Sequence, residues 1–222
     1  MAGAFALIVV STQLSFAQPA PPAPQARFVV VLDAAHGGDD TGGRLVNGEL
    51  EKTLTLALSV RLRSLLQARG IQVVVTRDAD GTVEPDQRAE FANHLQAQAC
   101  LSLHATESGS GVHLFTSSLA PAAPARLAAW KTAQSAWITR SLALAGALNS
   151  ALQQAGMNVT LGRASLPTID SMTCPAVAIE IAPDLNAGHP ALGGLDDPQY
   201  QARVAAAVAA ALVEWRAEAR QP

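Results

Sequence analysis

The chain is poor in the features that mark several large classes of protein. Its 222 residues carry 15 Lys and Arg against 18 Asp and Glu, a formal charge of −3, and the basic residues form no block. Nucleic acid is therefore not an expected partner, because phosphate binding needs clustered Lys and Arg. There are only two cysteines, Cys100 and Cys174, too few for the disulfide framework of a small secreted scaffold. Both are expected as buried free thiols, although export would permit a bridge. No apolar run reaches the roughly 20 residues of a membrane span, since residues 4–10 are apolar but Ser11, Thr12 and Gln13 interrupt them. No stable span is expected, and no repeat of about 20–50 residues points to a solenoid.

Charge is also missing from the start of the chain, where the first ionised side chain is Arg27. The usual signal peptide opens on Lys or Arg, which this one lacks. The apolar stretch followed by Ser15-Phe16-Ala17 nevertheless has the small residues of a peptidase cut before Gln18. Residues 1–17 are read as a signal peptide, with export to the periplasm or cell envelope. Residues 18–26, which include Pro19-Ala20-Pro21-Pro22-Ala23-Pro24, read as an extended tether. What remains, residues 27–218, is long enough for one sizeable core: 49% of the chain is hydrophobic, and roughly 200 residues leave no room for a second large domain.

Within that domain the expected order is strand, helix, strand, helix, strand, strand, long helix, strand, helix. This predicts a single α/β domain with a mostly parallel sheet flanked by helices. Three apolar strand-like runs end on reactive side chains. Residues 28–32 stop at Asp33-Ala34-Ala35-His36-Gly37-Gly38, residues 101–103 run into His104, and residues 176–179 run into Glu180. In an open parallel sheet the ligand crevice lies outside these carboxyl ends. Glu51, fifteen positions after His36, opens a predicted helix over residues 51–69, and its carboxylate can face the same crevice. Leu54, Leu58, Leu62 and Leu65 form the apolar stripe of that helix, and Gly70 follows its end.

Two imidazoles and a carboxylate are the donor set of a catalytic zinc, which keeps three protein ligands and one open position. His36, Glu51 and His104 meet that count for one Zn²⁺ ion, with Glu180 to spare. A zinc site lowers the pKa of water to about 7, and a neighbouring carboxylate can take the proton during attack on a carbonyl. Glu180 is the candidate for that base.

The segments VVLDAAHGGDDTGG, NGELEKTLTLAL, VVVTRDAD, QRAEFAN, CLSLHAT, GVHLF, CPAVAIE and DPQYQARVAAAVAAALVEW resemble, in order, the successive blocks of the zinc-dependent N-acetylmuramoyl-L-alanine amidases. The resemblance runs from about Arg27 to the C-terminus. It implies a zinc exopeptidase/amidase-like fold and peptidoglycan as substrate, with hydrolysis of the amide between N-acetylmuramic acid and L-alanine. It also implies zinc ligands at His36, Glu51 and His104 and a catalytic glutamate at Glu180. The match of Glu51-Lys52 selects Glu51 over Glu49. The chain departs from the family at Ala34 and Ala35, where Pro-Gly is usual, at Thr106, where Asn is usual, and over residues 181–186 after the catalytic glutamate. Two other functions are weighed: another zinc peptidase of carboxypeptidase type, and a cell-wall-binding module that has lost turnover. Some family members carry an insertion that covers the zinc site until a partner removes it. Residues 117–156 look too short for a full plug, which leaves the need for a protein activator open.

The remaining candidates have bland readings beside them. His94, His113 and His189 lack motif context and are expected at the surface or in structural roles. Arg77 and Arg88 would either pair with peptide carboxylates or form salt bridges within the fold. Trp130 and Trp137, seven apart in an Ala-rich stretch read as one long helix or two, would either stack on sugar rings or pack on the sheet.

Overall fold

The computed structural model describes residues 27–123, 129–185 and 194–219. The expected signal peptide, the tether and His189 lie outside the described residues. The elements are β1 (Val29–Ala34), α1 (Glu51–Gln67), β2 (Gln72–Val75), α2 (Pro85–His94), β3 (Ala99–Ala105), β4 (Val112–Ser117), a 3₁₀ segment (Trp130–Ala136), α3 (Ile138–Gln154), β5 (Val159–Ala164), α4 (Pro167–Asp170), β6 (Ala176–Ile181) and α5 (Pro198–Glu218).

The strands form one six-stranded sheet in the order β2-β1-β3-β6-β4-β5. β1, β2, β3 and β6 run parallel, whereas β4 is antiparallel to β6 and parallel to β5. The expectation of a mostly parallel sheet holds. β5 and α4 are additions to the sequence reading, and the Ala-rich stretch resolves into two pieces, the 3₁₀ segment and α3.

Alternation along the central strands sends neighbouring side chains to opposite faces. Val30, Leu32, Leu101, Leu103, Val177 and Ile179 pack on one face against α1, α3 and α5. On α1 that contact is made by Leu54, Leu58, Leu62 and Leu66, spaced by four as one helical stripe requires. Each fully buried leucine contributes about 1.5–3 kcal/mol. The expected Leu65 is only partly buried against the core, and its neighbour Leu66 takes the inward position. Gly70 follows α1 at φ +70°, a left-handed turn that suits glycine.

Val29, Val31, Cys100, Ala176 and Ala178 point to the other face, where they meet smaller helices, α2 and α4, through Ala89, Ala92 and Ile169. By the same period of two, Ser102, His104 and Glu180 share this less thickly covered face. Chemistry-bearing side chains thus stand where the helical layer leaves space.

Cys100 and Cys174 are joined by a disulfide, with 6.2 Å between their Cα atoms, which corrects the expectation of free thiols. The cause lies in strand order. β3 and β6 are parallel neighbours with Cys100 opposite Ala176, so the two cysteines begin adjacent strands side by side. Among the described residues no helix is long and apolar enough to cross a membrane.

Candidate metal centre and active site

The chain leaves β1 toward β2 on one side, through α1, and reaches β3 on the other. The crevice between the carboxyl ends of β1 and β3 is therefore a topological switch point, the place where open α/β sheets bind ligands. His36 lies two residues past the end of β1, in the left-handed region at φ 62°. That conformation is uncommon for a residue with a side chain, and it turns the imidazole back over the sheet edge. His104 stands near the end of β3 and Glu51 is the first residue of α1.

These three side chains converge. Each offers a donor atom, and the three atoms lie within 4.8 Å of one another. Glu51 Oε1 is 3.1 Å from His36 Nε2 and 3.1 Å from His104 Nδ1. Glu51 is buried and accepts hydrogen bonds from Gly43 N–H at 2.8 Å and Ala105 N–H at 3.1 Å. Burial alone would raise its pKa; the hydrogen bonds from His104, His36, Gly43 and Ala105 outweigh it and hold the carboxyl well below the usual range. The hydrogen bond to Glu51 raises the His36 pKa, burial opposes it, and Asp40 raises it further.

Further contacts orient both rings for a cation. His36 Nδ1 donates to the Asp40 carboxylate at 2.9 Å, leaving Nε2 toward the cluster. His104 Nε2 lies 3.4 Å from Ser102 Oγ, which donates to Asp33 Oδ2 at 2.7 Å, leaving Nδ1 toward the cluster. Such outer hydrogen bonds fix ring orientation and tautomer at metal sites. Gly42 closes the third side: at φ +62° a Cβ there would fall 2.6 Å from the His36 ring and 2.7 Å from Glu51 Oε2. Two imidazoles, one carboxylate and a backbone that approaches without a side chain make a fitting cradle for a divalent cation. Glu49 is not part of it; its carboxylate meets Asn47 instead.

Glu180 stands beside this cluster. It is paired in register with His104 across β3 and β6 and with His113 across β6 and β4, so His104, Glu180 and His113 form one row over three strands. His113 Nδ1 donates to Glu180 Oε2 at 3.2 Å, giving a residue expected at the surface or in a structural role a place next to the proposed base. Asp33, Asp40 and Ser102 were also missed as supporting residues. Their signal was local: Asp33 and Asp40 bracket His36, and Ser102 precedes His104 by the two residues that put both on one face. A cleft of about 190 Å³ opens next to the cluster, walled by His36, His104, Asp33, Val83, Leu166 and Ile169.

Arg77 and Arg88 are buried and committed to the fold. Arg88 pairs with Asp33 at 2.7 Å and donates to the carbonyls of Val83, Ala34 and His36. Arg77 donates to the carbonyls of Ala34, Ala35 and Lys52, tying the end of β1 to the first turn of α1. Trp130 and Trp137 do not share a helical face. Trp130 is half exposed in the 3₁₀ segment under Lys131, and Trp137 lines a groove with Arg140 and Gln98, away from the cluster.

A mostly parallel α/β sheet with a His-Glu-His cluster at its switch point and a carboxylate in the adjoining row defines the class of α/β metal-dependent hydrolases. Within that class the chain belongs to the N-acetylmuramoyl-L-alanine amidase family, whose model matches residues 30–214. It is 30% identical over 211 residues to an N-acetylmuramoyl-L-alanine amidase of Mycobacterium tuberculosis, covering 84% of this chain and 86% of that protein. A 77-residue stretch is 42% identical to an N-acetylmuramoyl-L-alanine amidase of Escherichia coli; it covers 35% of this chain and 27% of that relative, so the match spans about a quarter of the longer protein. Among solved structures, the catalytic domain of an N-acetylmuramoyl-L-alanine amidase from Bacillus (Paenibacillus) polymyxa superposes with a TM-score of 0.66 at 29% identity, over 86% of this chain and 98% of that domain.

Proposed function

We propose that residues 27–218 form a zinc-dependent catalytic domain that hydrolyses the amide between the lactyl group of N-acetylmuramic acid and the L-alanine of the peptidoglycan stem. The observation that carries the reading is the convergence of His36, Glu51 and His104 within 4.8 Å, beside Glu180 in a chain of this family. One Zn²⁺ ion on those three donors would supply Lewis-acid polarisation of the scissile carbonyl and a water acidic enough to be deprotonated near neutral pH.

Asp40 and the Ser102–Asp33 pair hold the two imidazoles in the tautomers that leave Nε2 of His36 and Nδ1 of His104 facing inward. Glu51 stays ionised and supplies the negative charge of the site. Glu180 takes the proton of the attacking water and returns it to the departing alanine nitrogen, two steps one carboxyl group performs in turn. The family supports the choice of substrate, and the disulfide suits action in an oxidising compartment outside the cytoplasm.

Glu180→Gln keeps the shape and removes the acid and base. Release of soluble peptide from murein should fall by about 10²–10⁴, with zinc content and pelleting on insoluble murein at parental levels. Release near the parental rate would take Glu180 out of the mechanism, and pelleting of the parent without release would make the chain a wall-binding module.

A further inference from the structure

The Glu180 side chain is about one-third exposed, at 32%, while His113 beside it is more enclosed, at 16%. A glutamate on an open sheet face has three free torsions, so its carboxylate samples many positions unless something holds it. One contact does. A carboxylate can only accept, so the 3.2 Å contact between His113 Nδ1 and Glu180 Oε2 requires the proton on Nδ1.

The His113 ring is itself fixed. Gly109, at φ +85°, lies against its far edge, where a Cβ would fall 2.5 Å from Cε1 and 2.8 Å from Nε2. Phe115, next on the same face of β4, meets it edge-on at 6.4 Å between ring centres. A side chain at Gly109 would collide with the imidazole, and the phenyl ring of Phe115 meets it from the neighbouring position on the strand.

Direction matters as much as restraint. His113 is the register partner of Glu180 on the β4 side, and His104 is its partner on the β3 side. Holding Oε2 toward β4 leaves Oε1 as the oxygen free to work. The strand on the other flank of Glu180 carries His104, the metal-ligand candidate. A base held in this way delivers the same oxygen at each turnover.

We propose that His113 is the positioning residue of Glu180, setting the carboxylate rotamer through its Nδ1–H. The proposal rests on the reading of Glu180 as the proton acceptor. It acts on kcat, because it concerns a group used in the reaction and not one that holds substrate or metal.

The test uses the full zinc-loaded chain and a defined muramoyl peptide. His113→Leu keeps bulk and removes the donor; His113→Asn retains an N–H two bonds from Cβ, where Nδ1 stands. His113→Leu should lower kcat by about tenfold to 100-fold, the scale of a misplaced reacting group, with KM and zinc content unchanged. His113→Asn should recover most of the loss. In parallel, ¹⁵N spectra of the parent should show the His113 proton on Nδ1, and Glu180→Ala should release that tautomer. Parental kcat in His113→Leu overturns the proposal, as do equal losses in the Leu and Asn variants accompanied by lower thermal stability, which mark a packing role. Glu180→Gln assayed beside them separates the two readings. If it is inactive while His113→Leu is parental, only the positioning role falls; if it is active, the assignment of the base falls with it.

Discussion

At the scale of single residues, the metal cradle depends on one position with no side chain. Gly42 sits at φ +62° with its α-carbon turned toward the His36 ring and the Glu51 carboxylate. Gly42→Ala combines an unfavourable backbone conformation with a methyl group in the space of His36 and Glu51, two candidate ligands. Zinc affinity, measured by competition with a chromophoric chelator, should fall by at least about tenfold, in line with the cost of disturbing a metal site's surroundings. The fold should remain, since Gly42 lies outside the buried core.

Protons compete with the metal at the same residues. The His36 pKa is raised above its ordinary 6.5 by the hydrogen bond to Glu51, against the opposing effect of burial, so the imidazole must shed a proton to bind. Zinc affinity should begin to fall while the pH is still above 6.5, and it should keep falling as the pH drops through that region. Glu51 stays ionised throughout that window. In the metal-free protein the signs differ between partners. The stabilisation from His36 is full below 6.5 and is lost as pH rises through its raised pKa; that from Glu51 is full above its ordinary 4.5 and is lost as pH falls through its lowered pKa. A metal-free melting temperature that peaks between those limits would be the signature.

At the scale of elements, two buried arginines join β1, β2, α1 and α2 around the site. Arg88, from α2, neutralises Asp33 of β1 and holds the His36 carbonyl at 2.8 Å. Removing one partner of a buried pair leaves the other charge uncompensated, at a cost of about 3–5 kcal/mol. Arg88→Ala should lower the urea midpoint accordingly and loosen zinc binding, because the carbonyl it frees belongs to His36, a candidate ligand. Elements built from strong local patterns were legible in the sequence. β1 and β6 begin with unbroken apolar runs, residues 29–32 and 176–179, and α1 carries leucines every fourth position. β5 was not. Its residues Val159–Ala164 are half exposed at the sheet edge and include Gly162, so neither a buried run nor clean alternation marks it. Strand order was illegible for a deeper reason: a residue's own segment carries its face and its end of the strand, but not the identity of the strand beside it. His36, Glu51 and His104 could therefore be found from their strand and helix ends. The neighbour relation of His113 to Glu180 and the bridge between Cys100 and Cys174 could not.

At the scale of the whole molecule, the disulfide closes a loop 74 residues apart in sequence. That span contains β4, α3 and β5. In the chain-entropy model such a loop costs the unfolded chain about 4 kcal/mol of freedom. Reduction, or Cys100→Ser with Cys174→Ser, should lower the urea midpoint by a corresponding amount while zinc stays bound at moderate denaturant. An unchanged midpoint would mean that the oxidised unfolded chain gains little order from the bridge.

The same bridge has a second effect, on sliding. Cys100 and Cys174 lie at the amino ends of two strands whose far ends carry His104 and Glu180. Parallel neighbours can in principle pair one residue out of step, and a slip of one would carry Glu180 to the opposite face of the sheet, among the leucines of α1. A slip of two would keep the face but displace the carboxylate by about 6.6 Å along the strand. The covalent tie forbids both. It works as a zero mark shared by two rulers: with their origins pinned, the distance between His104, a candidate ligand, and Glu180, the proposed proton acceptor, is determined by counting residues along each strand.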